Sequence, residues 1–370
     1  MDTPFHYADD LGPAKVVHIH HPALDLKAIV VIDNIAAGPS IGGVRLAPDV
    51  SLEECFRLAR AMTLKNAAAG LPHGGGKSVI FGDPAMPIAN KERLIRAFAQ
   101  AIRDLVDYIP GPDMGTNETC MAWIQDEIGR AVGLPPTIGG IPLDDIGATG
   151  YGVAVAGEVA QGFCDVSLDG ARVAIQGFGS VGRHAARFLE EKGAVLVAAS
   201  DSRGAIHAPD GLDVEALIQH KRAGRAVTEF SSGTVLDGEA VIAVDCDILV
   251  PAARPDAIRM DNVDSVKARL VLQGANVPVT ADADIALHRR GVLSIPDFIA
   301  NAGGVICAAV EYHGGTEATA FETIATKIAT NTRIMLEEAA RDATSPSEAA
   351  ATLATRRVRD AAGYRRGHTE

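Results

Sequence analysis

Three glycines set between two apolar runs constrain this chain more than any other feature. Arg172-Val-Ala-Ile-Gln is a short apolar run of the kind buried in a parallel sheet, and it leads directly into Gly177-Phe-Gly179-Ser-Val-Gly182. A helical pattern carrying Val181, Ala185, Ala186 and Leu189 follows and stops at Gly193. A second apolar run, Ala194 to Ala199, ends at Asp201. In a strand–turn–helix–strand unit of this kind the first glycine makes the tight turn. The second lets the backbone approach a pyrophosphate, and the third packs helix against strand. The helix N-terminus adds positive partial charge toward the phosphates. Asp201, 19 residues beyond Gly182, stands where a carboxylate accepts ribose hydroxyls. Gly177, Gly179, Ser180, Val181, Gly182 and Asp201 therefore form a candidate dinucleotide site, with NAD favoured. A plain glycine turn would need neither the second strand nor the acid in register.

The second half continues this alternation, with a helix over 212–223 and strands over 247–251, 268–273 and 291–295. Ligands of open parallel sheets bind at the carboxyl ends of the strands. Asn276, in Gly274-Ala-Asn, and Asn301, in Pro296-Asp-Phe-Ile-Ala-Asn, stand at such ends and are candidates to contact cofactor or substrate. Ordinary turn chemistry is the plainer reading of each. The expected fold is α/β in two domains: an N-terminal α/β substrate domain and a Rossmann-type doubly wound dinucleotide-binding domain. At 370 residues the chain is too long for one typical core, and Pro135, Pro136, Gly139, Gly140 and Pro142 mark the linker.

The net charge of −13 argues against nucleic acid or an anionic membrane as partner. The N-terminus lacks a basic stretch followed by an apolar core, so no secretion signal is expected. No apolar run is long enough for a membrane helix. Five scattered cysteines, none in a Cys-x-x-Cys pair, read as reduced thiols of a cytoplasmic protein.

In the first half, residues 16–20 and 28–32 read as two strands. His18 and His20 share a face of the first, but no cysteine or carboxylate completes a ligand set, so no metal is expected. Ser51-Leu-Glu-Glu54 reads as a capping box opening a helix that ends before Gly70. Leu58, Met62, Lys65 and Ala69 fall on one face of it. Leu71-Pro-His-Gly-Gly-Gly-Lys77 then delivers a lysine at the entrance of a strand. Its end copies a phosphate loop, but Leu71 replaces the required first glycine and the strand follows the lysine instead of preceding the loop. A helix is expected over 90–107. A rigid loop from Ile109 to Thr116 presents Asp113, and Thr116 is expected to cap a helix over 117–132. Helices over 319–341 and from Ser345 close the chain.

Two lysines and one loop carboxylate beside a dinucleotide fold suggest hydride transfer on a small anionic substrate. One lysine holds a carboxylate as a point charge. Mutual repulsion and partial burial suit the other amine to act as a base near neutral pH. The aspartate moves protons to and from a substrate amine.

At this point the sequence resembles the glutamate/leucine/phenylalanine/valine dehydrogenases. The matching pieces run in order along most of the chain: Gly42-Gly-Val-Arg45, Met62-Thr-Leu-Lys65, Leu71 to Lys77, Pro112 to Thr116, Ala148-Thr-Gly-Tyr-Gly152, the glycine fingerprint, Gly274-Ala-Asn276 and Pro296 to Gly304. The resemblance implies that Lys65 binds the substrate α-carboxylate, Lys77 activates the water that attacks an imine, and Asp113 shuttles protons on the amino group. It places Thr149 and Asn276 near the nicotinamide. It implies reversible oxidative deamination of an L-amino acid to a 2-oxo acid and ammonia by a homo-oligomer, with NAD or NADP as cofactor. The domains would be 1–140, with helices 338–370 packing back on it, and 141–337. Glutamate-specific members carry a lysine and a serine where this chain has Ile41 and Ala308. With Gly111 and Val305 these positions are apolar or small, which favours a leucine, valine, isoleucine or phenylalanine type of substrate. Arg45 is the candidate cation for glutamate instead, and the stretches 274–280 and 297–301 look more like the glutamate branch. Outside the class, the alternative is a catalytically silent nucleotide-sensing homologue, against which the presence of Lys65, Lys77 and Asp113 speaks.

Overall fold

The structure is a computed structural model and describes residues 5–365, so the segment read for a secretion signal begins outside the described residues. The chain divides into two compact units. One comprises residues up to Pro142, Val305–Ala320 and the residues from Leu353 onward; the other comprises Leu143–Gly304 and Phe321–Thr352.

The first unit holds strands β1 (Lys15–His21), β2 (Leu26–Asn34), β3 (Ser40–Ala47), β4 (Gly74–Phe81) and β5 (Tyr108–Pro112) in the order β1-β2-β4-β3-β5. β3 runs parallel to both β4 and β5, while β2 pairs antiparallel with β1 and β4. β2 is almost continuously apolar because both faces are covered. Helix α1 (Leu52–Ala68) packs Cys55 and Ala59 against Ile29, Val31 and Val79. Helices α2 (Ile88–Ala101) and α3 (Glu118–Ile128) cover Val30, Ile32, Val44 and Ile80 on the other face.

Five local expectations are corrected here. The buried stripe of α1 is Cys55, Ala59, Thr63 and Asn66, not the line through Leu58, Met62 and Lys65. The reason is close approach: a Cβ on Gly75 of β4 would lie 2.0 Å from the Thr63 amide nitrogen, so only a small-residue face fits. The glycines before Lys77 are accordingly part of β4, and the lysine lies within the strand. The helix expected over 90–107 stops at Ala101, where Arg130 takes the carbonyls of Ile102, Arg103 and Leu105 at 2.7, 3.0 and 3.0 Å. The expected rigid loop begins as strand β5. It holds Pro110 and Pro112 because it is an edge strand, where missing donors are tolerated. Asn117, not Thr116, caps α3, accepting from the Cys120 amide at 3.1 Å, and Gly129 ends the helix at φ 70°.

The second unit carries β6 (Arg172–Gln176), β7 (Val195–Asp201), β8 (Gly204–His207), β9 (Thr234–Leu236), β10 (Ile248–Pro251), β11 (Leu270–Leu272) and β12 (Leu293–Ile295). Their order is β12-β11-β10-β6-β7-β8-β9. β12 through β7 are parallel, and β8 and β9 extend the sheet antiparallel. The chain leaves β6 first for β7 and later returns to β10 on the other side, so the strand order switches between β6 and β10, the place where open sheets bind ligands. Helices α4 (Ala148–Ala160), α5 (Ser180–Glu190), α6 (Val214–Arg222) and α7 (Ala281–Arg289) make this a Rossmann-type unit. The chain ends with α8 (Gly303–Tyr312), α9 (Glu317–Asp342) and α10 (Pro346–Ala362). Among the described residues no helix is long and apolar enough to cross a membrane.

Candidate active site

The first unit gathers its charged residues by strand alternation. Ile41 pairs with Gly75 and Val44 with Ser78, a register that sets Gly43 beside Lys77. Gly43 pairs with Gly111 on the other side. Side chains two apart share a face, so Ile41, Arg45, Lys77 and Gly111 belong to the face that α1 covers. Just past the end of β5, Asp113 joins them. Its Oδ2 accepts from Lys77 Nζ at 2.8 Å and from Arg45 Nε at 2.9 Å. Arg45 also forks to Glu54 of α1. Glu54 is therefore half a capping box: its amide reaches Ser51 Oγ at 3.1 Å, but its carboxylate serves Arg45. Gly43 is required here because a Cβ would stand 2.8 Å from the Asp113 Cβ and 3.0 Å from Lys77 Nζ. Thr116 fixes the turn, accepting from the Asp113 amide at 3.0 Å and donating to the Val44 carbonyl at 2.8 Å. Burial pushes the Asp113 carboxyl up, and Lys77 and Arg45 more than offset it, holding it below the usual carboxylate range. The site thus pairs a buried ammonium with an ionised carboxylate. Lys65 lies half-buried on α1; Val305 and Ala308, one turn apart on α8, belong to the same unit.

The second unit gathers the dinucleotide residues around one cavity of about 950 Å³ lined by Gly177, Gly179, Ser180, Val181 and Asp201. Gly177 makes its turn at φ 96°. A Cβ on Gly182 would lie 1.9 Å from the Gly177 carbonyl oxygen, the close helix–strand contact expected of the third glycine. A Cβ on Gly179 would meet nothing within 4 Å, so nothing in the chain itself demands glycine there. That open space at the N-terminus of α5 fits an approaching pyrophosphate. Asn301 is buried, with its amide donating to the Ala275 carbonyl at 3.0 Å and to Asn276 Oδ1 at 3.1 Å, which holds the Gly274–Asn276 loop, while its own Oδ1 is buried without a hydrogen-bond partner among the described residues. Asn276 is exposed at the tip of that loop, and the Thr149 hydroxyl lies beside Gly304.

The family model for Glu/Leu/Phe/Val dehydrogenase matches residues 139–366, and that for the dimerisation domain of the same enzymes matches residues 13–130. The chain belongs to the Glu/Leu/Phe/Val dehydrogenase family. It is similar to a glutamate dehydrogenase of Aeropyrum pernix, 39% identical over 322 residues, covering 82% of this chain and 77% of the relative. An NAD-specific glutamate dehydrogenase A of Halobacterium salinarum is 41% identical over 74% of this chain and 66% of its own length. An NADP-specific one of Saccharolobus shibatae is 40% identical over 75% of this chain and 69% of its own length. Among solved structures, hetero-hexameric glutamate dehydrogenase from Thermus thermophilus in a Leu-bound form superposes with a TM-score of 0.83. It is 30% identical, and the match covers 94% of this chain and 89% of that one. L-tryptophan dehydrogenase from Nostoc punctiforme gives a TM-score of 0.76 at 26% identity, covering 96% and 99%. The chain is an amino acid dehydrogenase, an NAD(P)-linked oxidoreductase acting on a CH–NH2 group.

Within this dehydrogenase the sequence reading missed the role of Arg45 and Glu54. Arg45 was visible as the end of Gly42-Gly-Val-Arg, but its bond to Asp113 spans 68 residues and has no local signal. Asp201 lines the cofactor cavity, yet its carboxylate is already engaged. Lys221 Nζ lies 2.5 Å from Oδ2, the Val227 amide donates to the same oxygen at 2.9 Å, and the Arg203 amide donates to Oδ1 at 2.8 Å. Burial raises this carboxyl, and Lys221 with the two amides brings it below its ordinary range. A carboxylate neutralised this way repels a 2′-phosphate only weakly, and Arg203 and Arg254 line the same cavity. Lys221→Ala is therefore expected to raise the NAD/NADP ratio of kcat/KM by about tenfold, the effect of roughly 1.4 kcal/mol of restored repulsion. Measuring both cofactors on both proteins checks this; an unchanged ratio would mean that the Asp201 charge plays no part in the choice.

Proposed function

We propose that this enzyme catalyses the reversible NAD(P)-dependent oxidative deamination of an apolar L-amino acid to its 2-oxo acid and ammonia, as a homo-oligomer. Lys65 holds the substrate α-carboxylate. Asp113, kept ionised, accepts a proton from the substrate ammonium and returns it to the departing ammonia. Lys77, as the neutral amine at this step, orients the water that adds to the imino carbon and takes its proton, becoming the ammonium. The bound nicotinamide ring supplies the hydride acceptor. Gly177, Gly179, Ser180, Val181 and Gly182 cradle the pyrophosphate, and Thr149 and Asn276 stand near the nicotinamide.

The observation that carries the apolar reading is the engagement of Arg45. With Ile41, Gly111, Val305 and Ala308 apolar or small, Arg45 was the cation considered for a substrate side-chain carboxylate. Its guanidinium is held by Asp113 and Glu54. A carboxylate pressed against Ile41 and Ala308 would lose hydration without gaining a partner. A second reading, glutamate, is supported by the relatives: those at 39–41% identity are named glutamate dehydrogenases, and their names favour glutamate over the apolar class. Incubating the purified enzyme with NAD(P) and single L-amino acids, while following NAD(P)H and ammonia together, tests the reaction. Equal amounts of the two are expected. Cofactor binding without ammonia release from any L-amino acid would make the chain a silent homologue.

A further inference from the structure

Asp113 is a half-buried carboxylate that must carry a negative charge to accept a proton, and burial alone opposes that charge. Lys77 cannot be its only counter-ion throughout turnover, because its amine must be uncharged when it takes the proton of the attacking water. Arg45 reaches the same oxygen, Oδ2, from β3 and cannot lose its proton in the working range. Glu54 of α1 grips the other end of the guanidinium, which fixes the fork in one orientation. We infer that Arg45 is the positioning residue of this active site: it anchors Asp113 through Oδ2, keeps the carboxylate ionised while Lys77 is occupied, and leaves Oδ1 to meet the substrate amine.

The other titratable groups packed around this pair do not compete. Cys55, on α1, has its thiol pushed up to about 12 by burial. Tyr108, on β5, is fully buried with its hydroxyl tied to Ser78 at 2.9 Å, and burial raises it well above its ordinary value. Both stay neutral across the working range, so Lys77, Arg45 and Glu54 are the charges that matter.

This inference rests on the roles proposed for Asp113 and Lys77. Its test is the acidic limb of the kcat/KM–pH profile for oxidative deamination, measured on the full-length enzyme. Limb position does not depend on the fraction of protein folded. Arg45→Gln is expected to move the limb toward neutral pH by about one unit, so kcat/KM falls about tenfold on the acid side and recovers toward alkaline pH. Arg45→Lys keeps the charge without the fork and should move the limb by less than half as much. A limb unmoved in Arg45→Gln, or moved equally in both variants, overturns the inference. Asp113→Asn is the control for the underlying reading: if it keeps its turnover, the assigned role of Asp113 fails and the inference fails with it. If Asp113→Asn is inactive while Arg45→Gln keeps the wild-type limb, only the role of Arg45 is refuted.

Discussion

Lys77→Ala is expected to lower kcat by more than about 10²-fold in a protein that still folds and still binds NAD(P). The size follows from removing a positioned proton-transfer group. Folding should survive because the half-buried Asp113 keeps its second cation, Arg45 at 2.9 Å. Cofactor binding should survive because the glycine fingerprint belongs to the other unit of the chain. Asp113→Asn is expected to match this loss, since an amide cannot accept the proton. It should also be the less stable variant, because it removes one carboxylate from two cations. Circular dichroism, NAD(P) titration and single-turnover rates on both variants make the comparison. Near-normal turnover in either folded variant would remove the proposed mechanism.

The second large effect separates two glycines three residues apart. Gly182→Ala places a Cβ 1.9 Å from the Gly177 carbonyl oxygen, where only backbone movement can relieve the clash. We expect the second unit to lose more than about 3 kcal/mol of stability, beyond the ordinary range of overpacking. The first atom that Gly179→Val adds, its Cβ, enters space that the protein leaves open to 4 Å. We expect its melting temperature to stay within about 2 °C of wild type, as for a substitution that touches nothing in the fold. Its dissociation constant for NAD(P) should rise at least about tenfold, because the side chain occupies the ground of the pyrophosphate. Thermal melts with and without cofactor read both. If Gly179→Val bound NAD(P) normally, the pyrophosphate would have to lie elsewhere.

The contrast between these glycines shows why some of this protein was legible as sequence. The fingerprint is local: a strand, three glycines and a helix lie within about twenty residues, and each glycine has its own steric reason. The helix start at Ser345 is local too: Ser345 and Glu348 form a complete reciprocal box, with Ser345 amide to Glu348 Oε2 at 3.0 Å and Glu348 amide to Ser345 Oγ at 3.2 Å. Ser51 and Glu54 have the same spacing, yet Glu54 turns away because the half-buried Arg45 competes for it. The α1 stripe was misassigned because hydrophobicity placed it on Leu58 and Met62, whereas close packing on Gly75 selected alanine and threonine. Strand β5 was hidden by its two prolines, which are tolerated only because β5 lies at the edge of the sheet. Lys77 and Asp113 were found as separate motif residues. Their ion pair, and the place of Arg45 in it, came from parallel pairing across three strands that no spacing encodes.

The most direct test of the account is the ratio of kcat/KM for the best of leucine, isoleucine, valine and phenylalanine to that for L-glutamate, measured at alkaline pH with saturating NAD. The engagement of Arg45 by Asp113 and Glu54, and the apolar or small residues Ile41, Gly111, Val305 and Ala308, predict a ratio well above one. A buried, unpartnered carboxylate costs at least about 1–3 kcal/mol, so about tenfold or more is expected. A ratio below one, with glutamate the preferred substrate, would contradict the pocket reading and side with the names of the relatives.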